Sequence, residues 1–194
     1  MRIAVNLFAS ETGAAFVTSP ERLPFFVEAA VSCVEDSEKE KEEEEAKREE
    51  EGKGKEEAAR AARGAAAVQL AGSCLLHNIA LRLGERKGQC EALCEGGVAV
   101  LARAVRKEWK AKGEEFARNE EDVLEERPVA LDSLATLLKA LGVVCLDNDV
   151  AAAVLVSLPE EGSIVDALAE MKEKPQWLPV RGIAAEILNI VEMV

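Results

Sequence analysis

An all-helical fold follows from three features of the 194-residue sequence. Aromatic residues make up 4 % of it and tyrosine is absent, while hydrophobic residues reach 48 %, so the apolar content is mainly Ala, Leu and Val. Small aliphatic residues of this kind suit close-packed helices better than sandwiched sheets. No convincing alternation of apolar and polar residues runs through the chain, whereas apolar residues recur at three and four in several segments. Ala65 to Gly84 forms an almost uncharged stretch, interrupted chiefly by His77, Asn78 and Arg82. A helix apolar on most of its surface must be covered on more than one side, so that segment is expected at the centre of an array.

Taken in order, Met1 to Ala9 reads as a helix without an N-cap, as though the chain were truncated within a helix. Its apolar run is short and contains Asn6, which weighs against a signal peptide. Glu11 to Pro20, punctuated by Thr12-Gly13 and Ser19-Pro20, predicts a loop. Glu21 to Val34 predicts a helix with Leu23, Phe26, Val27, Ala30 and Val34 on one face; Pro24 fits its first turn.

Residues 35–62 differ in kind. Glu35 to Glu57 alone carries thirteen acidic and six basic side chains, so 23 residues contribute −7 of the net −13. With little beyond alanine to pack, this stretch predicts a disordered acidic insert. Its GKGK at 52–55 lacks the spacing of a phosphate loop. After the central helix, Gln89 to Glu95 predicts a short helix stopped by Gly96-Gly97, and Val98 to about Lys112 a further one. Residues 108–127 turn strongly charged and predict a second insert or an exposed helical extension. Pro128 opens a helix over Val129–Leu146, with Leu131, Leu134, Leu138, Leu141 and Cys145 on one face. Asp149 is expected to cap Val150–Leu158, and Ser163 to cap a helix reaching about Glu173; a last helix spans Val180–Val194.

Four of these segments resemble one another: RIAVNLFAS, LLHNIALRL, LLKALGVVCL and AAEILNIVEMV. Each places a polar or tiny residue in an apolar helix, at Asn6, Asn78, Gly142 and Asn189, with spacings of 72, 64 and 47 residues. Removing the 23-residue acidic stretch and the 20 residues 108–127 brings the first two to 49 and 44. Periods of about 40–47 residues belong to armadillo and HEAT arrays. The prediction is therefore an armadillo/HEAT-like right-handed α-solenoid with a disordered acidic insert. Its long helices would stack so that small and polar residues line one groove. Each asparagine could pin the backbone of an extended peptide there, or satisfy a carbonyl at a repeat junction.

In this order, RIAVNLFAS, LLHNIAL, LLKALGVVCLDN and AAEILNIVEMV resemble the PUL domain of PLAP-type ubiquitin adaptors, an armadillo-like domain also found beside thioredoxin-like or thiol-peptidase domains. The resemblance covers nearly the whole of 1–194 apart from the two charged stretches, and it implies an N-terminally truncated copy. It implies a protein-interaction module whose groove binds the acidic C-terminal tail of the AAA+ segregase valosin-containing protein. Arg2, Asn6 and Asn78 match family positions, while Thr136 stands where a second groove arginine is expected. Arg82, Lys139 and Arg181, on long helices, are the other cations that could attract an acidic tail. A monomer in the cytoplasm, and also in the nucleus, follows from the same likeness. A scaffold for another peptide, or the non-catalytic part of a thiol-peptidase or thioredoxin-like protein, are the alternatives.

Other chemistries find little support in the sequence. The net charge of −13 disfavours a nucleic-acid binder. No uninterrupted apolar run reaches the roughly 18 residues of a membrane span. His77, the sole histidine, follows Cys74 by three residues, but on one apolar helix the pair reads as a core or interface histidine and an inert thiol. Cys90 and Cys94 would fill only two of zinc's four positions. Five cysteines among apolar residues suggest free thiols in a reducing compartment. No enzyme, metal or cofactor is expected.

Overall fold

The computed structural model describes the backbone over residues 2–36, 55–118, 132–158, 163–173 and 178–193, and most side chains within those ranges. The described residues are all-helical. The elements are α1 (Arg2–Leu7), α2 (Glu11–Val17), α3 (23–36), α4 (Lys55–Leu83), α5 (Val98–Arg118), α6 (Asp132–Cys145), α7 (Asp149–Ser157), α8 (Ile164–Glu173) and α9 (Leu178–Val191).

The loop expected over Glu11 to Pro20 is instead largely a helix. Ser10 adopts an extended conformation and its Oγ accepts a hydrogen bond from the Gly13 amide at 3.1 Å, a side-chain cap that starts α2. Gly13 belongs there for a packing reason: a Cβ on it would collide with the Leu7 carbonyl at the α1–α2 corner. The chain then turns through 18–22 into α3, whose Val27, Ala30 and Val34 are fully buried.

The central helix is longer than its apolar run. It begins at Lys55, inside the segment expected to be an insert, and ends at Leu83, with Gly84 at φ +53°. That left-handed conformation is the one glycine adopts without a Cβ penalty at a helix end. Residues 37–54 lie outside the described residues, so the disorder expected of the acidic stretch concerns a region without description. Where α4 crosses α3 the contact is close. A Cβ at Gly72 would sit 2.8 Å from the Ala30 carbonyl oxygen and 3.1 Å from the Cys33 Cβ.

Between α4 and α5 the chain makes a 3₁₀ segment, Gly84–Gln89, and then a π-helical turn, Leu93–Gly97, that runs straight into α5. Gly96-Gly97 therefore does not stop a helix, as expected, but lies in a turn whose amides stay bonded as the chain enters α5. Helix α5 continues past Lys112 to Arg118, so the charged stretch is at first a helical extension; residues 119–131, with Pro128 and Leu131, are outside the description. Helix α6 accordingly begins at Asp132 here. Asp147 takes φ +50°, and Asn148, rather than Asp149, caps α7.

Through this sequence of turns, α1 packs on α4, α4 on α6, and α6 on α9. These are the four elements that carry the four similar segments. Behind them, α5 packs on α6 and α8, α7 on α5 and α9, and α8 on α9. One continuous core joins them, with Leu75, Leu76, Ile79, Leu101, Leu134, Leu137, Leu138, Leu141, Leu168 and Ile187 all essentially inaccessible. Averaged over Arg63–Gln89, the chain is apolar enough to pass a length-and-composition test for a membrane span, despite its polar interruptions. The packing of that stretch on α3 and α6 accounts for much of its apolar character.

Candidate functional site

A cleft of about 450 Å³ is lined by residues of α4, α6 and α9 together with Leu146 just after α6. Its position follows from which residues each helix spends on the core. On the C-terminal half of α4, Leu75, Leu76, Ile79, Ala80 and Leu83 are buried, which leaves Leu70, Cys74, His77, Asn78, Leu81 and Arg82 as an open strip at helical spacing. On α6, Leu134, Leu137, Leu138, Leu141 and Val144 face the core, while Lys139, Gly142 and Val143, with Leu146 just after the helix, line the cleft. On α9, Ile187 and Leu188 are buried, while Glu186, Asn189 and Ile190 are not.

The cleft walls are mostly aliphatic: Val143, Leu146, Ile183, Ile187 and Ile190. Gly142 sets the floor. A Cβ there would meet Ile187 Cγ1 at 3.3 Å, so the absence of a side chain lets α6 and α9 approach and keeps the space open. The polar groups are few: His77 from α4, Lys139 from α6, Glu186 and Asn189 from α9. An apolar hollow with a few convergent polar groups is the usual form of a binding site.

His77 is the polar residue that α4 contributes to the cleft. Its Nδ1 is shut off from water and has no hydrogen-bond partner among the described residues. Burial pushes the imidazole below its ordinary 6.5, an interaction with the Lys139 backbone opposes that, and the Lys139 charge adds to the lowering. Of the two places expected for His77, core or interface, the half-buried ring on the cleft wall fits the second. The signal that places it on the cleft is its spacing from Leu70, Cys74 and Leu81, all of which leave the core.

The residues expected to line a groove are distributed as follows. Lys139 is exposed and lines the cleft. Asn78 is half-buried on α4, beside His77 in sequence. Asn6 is exposed on α1, the helix next to α4. The Arg2 side chain lies outside the described residues. Arg82 is tied to the other side: its guanidinium pairs with the Glu11 carboxylate of α2 at 2.6 Å. Arg181 is exposed on α9 and is not among the cleft residues. Of the five whose side chains are described, Lys139 alone is among the residues lining the cleft.

The cysteines serve packing. Cys94 is buried; its Sγ contacts the Lys87 carbonyl at 3.4 Å, and Asn148 Nδ2 donates to it at 3.4 Å. Burial pushes the Cys145 thiol up to about 12, with nearby Cys94 adding to the shift and Lys87 opposing it. Burial likewise raises Cys33, Cys74 and Cys90. A thiol with a raised pKa is a poor nucleophile at neutral pH. Among the described residues, no three of His, Cys, Asp and Glu gather to hold a metal ion.

The chain matches no family model, no curated protein and no solved structure.

Proposed function

We propose that this chain is an armadillo-like, PUL-type interaction module whose groove receives an acidic peptide, the C-terminal tail of the AAA+ segregase valosin-containing protein, in ubiquitin-dependent protein handling. The observation that carries this reading is the packing order α1, α4, α6, α9, which sets the four similar segments side by side. Neighbouring copies of one helical unit are what a solenoid requires. Within that layer Asn6, Asn78 and Asn189 remain at least partly accessible and Lys139 stands at the cleft. Asparagine amides can pair with an extended backbone, and the ammonium supplies local attraction for carboxylates. The module acts by binding, as a monomer in the cytoplasm and nucleus, without a cofactor.

One observation favours a second reading, a helical scaffold for an apolar peptide. The walls are mostly aliphatic, Glu186 lines the same cleft as Lys139, and Arg82 is already paired. The two are separated by titrating a labelled acidic tail peptide and its amide counterpart, with each carboxylate replaced, against the chain and its Lys139→Glu variant. The acidic-tail reading expects saturation well below millimolar, about −4 kcal/mol being the weakest useful affinity, with loss in Lys139→Glu. Equal affinity for the amide peptide transfers the groove to the apolar reading. No saturation of either peptide removes both.

A further inference from the structure

The turn between α2 and α3 carries a motif that the groove does not use. Ser19-Pro20-Glu21-Arg22 places a proline directly after a serine and a base three residues on; Ser19 is the only serine or threonine in the chain that precedes a proline. Proline keeps the residue before it out of the helical region and in the extended one, the form in which a kinase cleft takes its substrate. The arginine adds a charge for such an enzyme to read. The structure makes the motif accessible. Residues 18–22 lie outside both helices; Ser19 is half-buried, while Pro20, Glu21 and Arg22 are exposed. Ser19 Oγ donates to the Phe16 carbonyl at 3.1 Å on the exposed side of the turn. The Arg22 guanidinium rests over the ring of the same Phe16, 4.2 Å from its centroid, and that ring's residue is 45 % exposed. Hydroxyl and guanidinium are thus both held by solvent-facing contacts, not by the core. The turn itself is closed by the Arg22 and Leu23 amides donating to the Ser19 carbonyl at 3.0 and 2.9 Å. Opening it gives up those bonds and leaves Val17 and Val27 buried in the flanking helices.

We propose that Ser19 is a phosphorylation site, written by a proline-directed serine/threonine kinase that reads Arg22 as its basic residue. Ser19 Oγ attacks the γ-phosphorus of ATP and its proton passes to the kinase's catalytic aspartate; the bond from that phosphorus to the bridging oxygen breaks, and ADP leaves. The phosphate brings close to two negative charges to the α2–α3 corner. It forms a charge-assisted pair with Arg22, stronger than an exposed contact between a guanidinium and a ring. Arg22 therefore leaves Phe16, and the ring is uncovered beside Phe26, which is itself edge-on to Phe25. Helices α2 and α3 contribute no residue to the cleft, so this site and the groove reading stand or fall separately.

The test incubates the folded full chain with ATP and a purified cyclin-dependent kinase, and maps the modified residue and its initial rate by mass spectrometry. A peptide of residues 14–25 is run beside it to report the motif without the fold. The expected result is phosphate on Ser19, absent in Ser19→Ala, nearly lost in Pro20→Ala and several-fold slower in Arg22→Ala, with melting curves to establish that each variant folds. In the phosphorylated chain the Phe16 ring resonances are expected to shift as the guanidinium departs. A modified peptide beside an unmodified chain means that the fold keeps the turn shut, and overturns the site. An unmodified peptide overturns the motif and the site with it. Equal rates for wild type and Arg22→Ala overturn the reading of Arg22, and a Phe16 ring unmoved by phosphorylation overturns its release.

Discussion

At the scale of single residues, the chain is held by small features placed at close approaches. Asn148 is the clearest case. Its Oδ1 accepts from the Ala151 amide at 3.3 Å to cap α7, and its Nδ2 donates to the Val144 carbonyl at 3.0 Å. It is 5 % exposed, so Asn148→Ala removes a cap and leaves buried groups unpaired. The expected loss is about 1–2 kcal/mol, read as a lower urea midpoint with unchanged slope. The sequence names Asp149 for this role because both residues can cap; only the left-handed Asp147 before it fixes which carbonyl and amide are in reach. His77 makes a second prediction. Its folded value lies below 6.5, so above 6.5 both folded and unfolded chains are neutral there, and the neutral ring's contribution is complete. As the pH falls from 6.5 through the folded value, the unfolded chain binds a proton first and that contribution is lost. The melting temperature of wild type is thus expected to fall more steeply between pH 7 and 5 than that of His77→Gln.

At the scale of elements, the sequence was most informative where helices bury a regular stripe. The α6 stripe Leu134, Leu138, Leu141 and Cys145 was legible from its spacing and is buried as expected. Leu138 is fully inaccessible, and Leu138→Ala is expected to cost about 2–5 kcal/mol in denaturant unfolding. What escaped were decisions made by tertiary contact. Thr12-Gly13 reads as a turn, yet Gly13 is inside α2 because the Leu7 carbonyl occupies the space of a Cβ. Gly96-Gly97 reads as a stop, yet a π-helical turn carries the chain through it. The sequence over 55–62 lacks an apolar stripe and so reads with the acidic insert, though its alanines favour a helix once α4 is nucleated. Gly72 offers a direct check of the α3–α4 crossing. Adding a Cβ forces the Ala30 backbone to move, so Gly72→Ala is expected to destabilise by about 1–3 kcal/mol despite alanine's better helix propensity, measured by urea unfolding.

At the scale of the whole molecule, the four similar segments lie on helices that pack in succession, and three of those helices line a cleft. The likeness of the segments is a matter of sequence, since each interrupts an apolar helix with a polar or tiny residue. The cleft was not legible, since it arises from Gly142 facing Ile187 on a helix 45 residues further on. Nor was the pairing of Arg82 with Glu11, which takes one expected groove cation toward α2. Of the three half-buried thiols, Cys74 shares α4 with the cleft residue His77, whereas Cys33 is on α3, which contributes no lining residue. The most direct measurement is the rate of alkylation of Cys74 and of Cys33, resolved by mass spectrometry, with and without saturating acidic tail peptide. The proposed groove predicts that peptide slows Cys74 alkylation several-fold while Cys33 reacts at its original rate. Peptide that binds yet leaves Cys74 unprotected, or protects Cys33 instead, contradicts it.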